Sequence, residues 1–305
     1  MRTGRIFSMA TSKIAGRLTG LKVGEGYTRH PFDLEFDVRT SGLVAGRNLK
    51  CAHRHDRYNT AYYGVAPSVF LALIRRWQRS RPGVTIEDFS FIDIGAGMGR
   101  AMLLAAEFPF QQVVGVELNP TLARIARRNM GAWRAAKRAK APMRLVCGDA
   151  VEFALPKGPC LAFLFNPFGA PVMRRLLKGW NKTLAGRTGI DDSHPSRKNN
   201  NAARVGHPDF CGEAGQLDIL YVNNEQEHVL ERQSGFVRLF SRKVLRSRVD
   251  AIADHRILAN QPEGEYASAN YEDCSIWRWA GKTGTSHPID EDLSMGTPAG
   301  NRVRR

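Results

Sequence analysis

Apolar and polar positions along the chain change period several times, and each change marks an element. Phe91 to Ile94 is a short strand, apolar except for Asp93, that ends in Gly95-Ala96-Gly97-Met98-Gly99. A helix follows, and Val113 to Val116 forms a second strand delivering Glu117. Leu122, Ile125, Ala126, Met130 and Trp133 recur at spacings of three and four, which predicts an amphipathic helix. Arg144 to Cys147 is a third strand, closed by Gly148-Asp149-Ala150. Cys160 to Phe165 is an unbroken apolar run of the kind buried on both faces of a sheet. Leu217 to Val222 forms a fifth strand, followed by a helix over Glu225 to Gln233. Phe236 to Phe240 and Ser275 to Ala280 are the last two strands, the final one amphipathic and suited to an antiparallel edge. Alternating strands and helices predict an α/β fold with a doubly wound, mostly parallel sheet.

The same pattern divides the chain. Residues 1–30 are basic, carry no acid until Glu25, and fit either a disordered arm or an organellar targeting segment. Residues 31–88 form a lead-in that includes a helix with Val69, Phe70, Leu73, Ile74 and Trp77 on its apolar side. Tyr58, Tyr62 and Tyr63 precede that helix. The main domain spans 89–281, interrupted by a polar surface insertion at 185–215, and 282–305 is a disordered tail.

Ligands of doubly wound sheets bind beyond the carboxyl ends of the strands, at the crevice where the winding reverses. Asp93, Gly95, Glu117, Asp149 and Asn166 all fall at predicted strand ends. Glycines let a turn bend sharply and approach a ligand, although the same residues serve any tight strand-to-helix turn. A carboxylate at the position of Glu117 can accept both hydroxyl hydrogens of a ribose. The pyrophosphate fingerprint is G-x-G-x-x-G, but here Arg100 stands where its third glycine would fall. Asp93 would repel a pyrophosphate and attract a sulfonium with its ammonium group.

The pattern D-x-G-x-G-x-G, followed by an acid at the second strand end, resembles the class I S-adenosylmethionine-dependent methyltransferases from about Phe89 to Ala280. Within that family the G-x-G-x-G-R turn and an F-x-N-P-F segment are most similar to a little-characterised bacterial group. The resemblance implies S-adenosyl-L-methionine as cofactor. Asp93 would orient its methionine end, with Gly95, Ala96, Gly97 and Gly99 passing beneath it. Glu117, with Leu118 beside it, would hold the ribose, and Asp149 with Ala150 the adenine. Taken alone, Asp149 serves equally as a helix cap. Asn166-Pro167-Phe168-Gly169 is similar to the N/D-P-P-Y/F motif of methyltransferases that act on amino nitrogens, with one proline in place of two. That likeness makes Asn166, Pro167 and Phe168 the catalytic candidates, the first two accepting N–H hydrogens and the ring packing on the acceptor. The residues alone also allow an Asn-Pro turn that closes a strand. In this family the lead-in often covers the cofactor.

Composition narrows the remainder. Among 305 residues, 43% hydrophobic, no apolar run approaches the ~20 residues that span a bilayer. Five scattered cysteines without C-x-x-C spacing point to a reducing cytoplasm. Cys51, His53, His55 and Asp56 crowd together, but no second ligand cluster is evident, so a polar loop is expected and no metal. The net charge is +16, and from Leu118 to Gly148 there is no acid. Arg124, Arg127, Arg128, Arg134, Lys137, Arg138, Lys140 and Arg144 make 124–144 a basic face, either merely solvated or suited to an acidic or nucleic-acid partner. Two other function classes stay open: a nucleic-acid-binding protein that keeps the fold without turnover, and a nicotinamide-dependent oxidoreductase. The methyl acceptor itself is not identified by the sequence.

Overall fold

The apolar runs become the strands of one sheet. In the computed structural model they are β1 (Ser90–Ile94), β2 (Gln112–Glu117), β3 (Met143–Cys147), β4 (Cys160–Phe165), β5 (Leu217–Val222), β6 (Phe236–Leu245) and β7 (Tyr271–Trp279). Their order is β3-β2-β1-β4-β5-β7-β6. The five strands from β3 to β5 are parallel, and β7 runs antiparallel to both β5 and β6. The structure describes residues 28–80, 82–187, 215–259 and 269–281. The basic arm up to residue 27, most of the polar insertion and the tail from 282 lie outside the described residues.

Among the described residues seven helices pack around the sheet: α1 (Pro31–Phe36), α2 (Pro67–Arg79), α3 (Arg100–Ala105), α4 (Pro120–Ala135), α5 (Ala170–Arg187), α6 (Glu227–Glu231) and α7 (Arg248–Ala259). Helix α4 starts where it does for a local reason. The Asn119 side chain accepts from the Thr121 and Leu122 N–H groups, and Pro120 supplies a first-turn φ at no hydrogen-bond cost. Side chains alternate across β1, so its two faces feed two cores. Phe91 packs with Phe70, Leu73, Trp77, Met102, Phe163 and Leu220. Ile92 and Ile94 pack on the other side with Val172, Met173, Leu176, Tyr221 and Leu230. The sheet is therefore covered on both faces, as the unbroken apolar pattern of β4 requires. The lead-in helix α2 shares the first core with β1, through the apolar residues its spacing predicts.

Three expectations are corrected. The last strand is not an edge: β7 lies between β5 and β6, with Cys274, Ser275, Ile276 and Trp277 all buried. The edge is β6, ten residues long rather than five. The helix after β5 is confined to Glu227–Glu231. Helix α7 was not expected, because the face it buries carries Asp250 and Asp254 as well as Ala253 and Ile257. Winding outward from β1 to β2 and β3, and the other way from β4 to β5, leaves a crevice at the β1/β4 boundary. The site lies there.

Candidate active site

The turn after β1 is held in a conformation that only glycine adopts cheaply. Gly95 and Gly97 have φ of 75° and 56°. The N–H groups of Gly95 and Ala96 both donate to the Val116 carbonyl, at 2.9 and 3.0 Å, tying the turn to β2. A Cβ on Gly95 would lie 2.6 Å from the Pro167 Cβ, and one on Gly97 only 2.2 Å from Tyr62 Cε2. Gly99 instead begins α3 and packs toward Ala126, outside the cavity wall.

Glu117 anchors this turn with both oxygens. Oε2 accepts from the Gly97 N–H and Oε1 from the Asn119 N–H, each at 2.7 Å. Burial raises its pKa, and the N–H groups of Asn119, Gly97 and Leu118 work against that rise. Each carboxylate oxygen keeps a further lone pair for a ligand hydroxyl. Asp93 is 4% exposed, and burial followed by the Glu117 charge pushes it up to about 8. Both acids line one cavity of about 930 Å³, counting its open mouth. Gly95, Ala96, Gly97, Leu118, Asp149, Ala150, Pro167 and Phe168 line it too.

At the far end Asp149 takes the capping role that its residue type allows. Its Oδ1 accepts from the Val151 N–H, as a turn cap does. Its Oδ2 faces the lead-in, 3.0 Å from His55 Nδ1 and 3.9 Å from His53 Nε2. The local sequence cluster is thus divided. Asp56 accepts from the backbone N–H groups of Cys51 and His53, and burial with its nearby charge pushes the Cys51 thiol up to about 11. The two imidazoles join Asp149, with one potential ligand atom of each within 4.8 Å of the others, so the expectation that no further ligand stands near is corrected. Arg175 Nη1 lies 2.8 Å from His55 Nε2. A guanidinium only donates, so His55 carries its proton on Nδ1, facing Asp149. That proton occupies the lone pair a metal would need.

Asn166 ends β4 in the left-handed region, with φ of 39°. It is buried, and its Oδ1 takes no hydrogen bond among the described residues. Its carbonyl accepts from the Thr60 hydroxyl, and an isolated bridge pairs Asn59 with Phe168. The lead-in thereby clamps the Asn-Pro-Phe turn. Pro167 and Phe168 line the first cavity, whereas Asn166 lines a second one of about 1240 Å³. Thr60, Ala61, Tyr63 and Phe165 line both.

Sequence reasoning missed how much the lead-in contributes. Arg100, noticed only as a break in a glycine pattern, is buried beneath the turn and donates to Thr40 Oγ1 at 2.7 Å and to the Gly64 carbonyl at 3.1 Å. Thr40 and Ser41 in turn surround the buried Asp33 carboxylate. Tyr62 lies over Gly97 and donates to the Thr40 carbonyl at 2.7 Å. The signal available was a charge next to the turn and a tyrosine cluster before α2.

The sequence matches no protein-family model, and no curated protein resembles it. Solved structures match the chain at low similarity. A magnesium protoporphyrin IX methyltransferase from Synechocystis with bound SAM is 8% identical, with 70% of this chain and 78% of that one covered and a TM-score of 0.40. A precorrin-6y C5,15-methyltransferase from Geobacter metallireducens is 16% identical, covering 68% and 87%, at 0.37. The cyclase SpnF is also 16% identical, covering 68% and 81%, at 0.40. Similarity this low carries no functional argument. The doubly wound, mostly parallel α/β fold rests on the sheet itself, five parallel strands with an antiparallel strand inserted before the last position. Among the described residues no helix is long and apolar enough to cross a membrane.

Proposed function

We propose that this protein is an S-adenosylmethionine-dependent methyltransferase acting on a nitrogen acceptor. The observation that carries the reading is a single cavity holding a cramped glycine turn and two buried carboxylates, Asp93 and Glu117, with an adjoining cavity lined by Asn166, whose Oδ1 has no donor among the described residues. Glu117, already fixed by two N–H groups, has lone pairs for the ribose hydroxyls. Asp93 gains a reason to ionise when a sulfonium and an ammonium group arrive. Asp149 and Ala150 wall the opposite end, where the adenine belongs. A dinucleotide is disfavoured, because the buried Arg100 fills the place of the third glycine.

Asn166 and the Pro167 carbonyl would accept N–H hydrogens from the acceptor, with Phe168 packing beside it. Neutral oxygen acceptors stabilise positive charge developing on the attacking nitrogen and keep its lone pair in line with the methyl carbon. His55 is a positioning residue: held by Arg175, its Nδ1 stands 3.0 Å from Asp149 Oδ2 at the wall of the cavity.

Arg124, Arg127 and Arg128 are exposed on α4, so a polyanionic macromolecule remains the partner reading for the basic face. The test is titration calorimetry of the full chain with S-adenosylmethionine, beside Glu117→Ala and an NADH control. Micromolar or tighter binding, ~−8 kcal/mol, that the variant weakens supports the cofactor. A folded protein that ignores S-adenosylmethionine sinks the reading. Salt-sensitive RNA binding without cofactor affinity would replace it with the non-catalytic class.

A further inference from the structure

The second cavity differs in character from everything around it. The chain carries a net charge of +16, yet the charged groups lining this cavity are Glu225, Glu272, Asp273 and Arg246. Three carboxylates and one guanidinium leave two negative charges. Arg246 is already committed to Glu272, to which it donates, and to Asp254 at 3.4 Å. Glu225 and Asp273 are exposed at the cavity. Lys243, the cross-strand neighbour of Asp273, does not line the cavity, but its ammonium lies 3.8 Å from the Tyr271 ring centroid and interacts with the Asp273 charge, which reduces the negative excess without reversing it.

A second observation is independent of that charge. Asn166 is 7% exposed, lines this cavity, and its Oδ1 is a buried acceptor without a donor among the described residues. A buried amide oxygen left unpaired costs free energy that an arriving N–H would recover. The backbone cost of holding Asn166 in the left-handed region points the same way, since such conformations persist where the surrounding structure enforces them. The rings of Tyr63 and Tyr271 supply apolar walls with polar tips.

We infer that this second cavity receives the methyl acceptor as an organic cation, an alkylammonium or guanidinium group whose N–H meets Asn166. The inference rests on the methyltransferase reading and names the substrate class for it. Thr60, Ala61, Tyr63 and Phe165 form the boundary across which the methyl group passes. A phosphate-bearing acceptor would have to bring its charge to Glu225 and Asp273, so the basic face and this cavity serve different chemistry. For an ammonium acceptor, one proton first leaves to solvent through the open mouth. The neutral nitrogen then forms its bond to the methyl carbon while the carbon–sulfur bond breaks with its electron pair passing to sulfur. Products are the methylated ammonium, the neutral thioether S-adenosylhomocysteine and the released proton.

The probes are n-butylammonium and n-butylguanidinium, with n-butanol and n-butylurea as neutral isosteres. Binding to the full chain is followed by saturation-transfer NMR, and the same preparation is titrated with S-adenosylmethionine. The expected result is a cation preference of about tenfold or more. It should collapse toward parity in Glu225→Gln/Asp273→Asn while cofactor affinity is unchanged, and Asn166→Ala should weaken both cations. Neutral isosteres binding as well as the cations, a preference that survives the double variant, or undetected cations in a protein that binds the cofactor would overturn this inference alone. Cation selection without cofactor binding would overturn the methyltransferase reading and with it the acceptor role.

Discussion

Cofactor binding should release a proton, and Asp93 should be its source. Burial, then the neighbouring Glu117 charge, pushes Asp93 up to about 8, so about 0.9 of the free protein carries a protonated Asp93 at pH 7. A sulfonium and an ammonium in the cavity favour the carboxylate and lower its pKa. A fall of two units, to about 6, releases ~0.8 proton at pH 7 and only ~0.1 at pH 5 or pH 9. The same two units mean that the ionised site binds the cofactor about 100-fold more tightly than the protonated one. The sign for the free protein is opposite. Between its unfolded value of 3.8 and about 8 the folded state holds the extra proton, so stability is fully present below that window and declines across it. The assay is calorimetry in buffers of low and high ionisation enthalpy, where the slope of observed heat counts protons. Asp93→Asn mimics the protonated acid and should fold normally, lose the slope, and bind about 100-fold more weakly at pH 9. A buffer-independent enthalpy in the native chain, or an unchanged slope in Asp93→Asn, refutes the reasoning.

Two further predictions concern the scaffold. Gly97→Ala places a side chain at φ 56° with its Cβ 2.2 Å from the Tyr62 ring, and should cost roughly 2–4 kcal/mol in denaturant unfolding. Combined with Tyr62→Ala it should cost less than the sum of the single changes, and strict additivity would show that the ring is not the obstacle. Asp218 is fully buried and accepts from Trp77 Nε1 at 2.7 Å and from Arg278 Nε and Nη2 at 2.8 and 2.9 Å. Asp218→Asn strands that guanidinium and should lower unfolding free energy by about 3 kcal/mol, whereas a loss under ~1 kcal/mol would mean solvent already screens Arg278.

What the sequence discloses and what it conceals separate along a physical line. The strands β4 and β5 end where their apolar runs end, Phe165 and Val222, because burial on both faces selects apolar side chains along them, with the paired Asp218 of β5 as the exception. The candidate residues at strand ends were legible for the same reason, since a parallel sheet aligns every carboxyl end on one edge. Buried charge is what hides structure. Helix α7 turns Asp250 and Asp254 inward, where His30 stands 3.4 Å from the first and the Tyr63 hydroxyl donates to the second, so its core face looks like a surface. Burial raises the Asp250 pKa, but hydrogen bonds from His30 and Ser68 outweigh it and hold the carboxyl at about 2. Strand β7 was similarly misplaced at the edge by Arg278, whose partner Asp218 lies in β5.

The lead-in is the extreme case of contacts that no local pattern encodes. Thr60 meets the Asn166 carbonyl across 106 positions, and His55 meets Arg175 across 120. Arg100 shows why this matters for chemistry as well as for fold. Read as a missing glycine, it only argued against a dinucleotide. In the structure it connects the turn after β1 to Thr40 and the Gly64 carbonyl, so the segment carrying Tyr62 is fastened to the turn that Tyr62 covers. A glycine there would free the helix but release that cover. The arginine thus gives up a pyrophosphate site and gains a wall, leaving Asp93 and Glu117 buried and correspondingly raised. Raised acids of this kind are useful to a ligand that arrives with positive charge of its own.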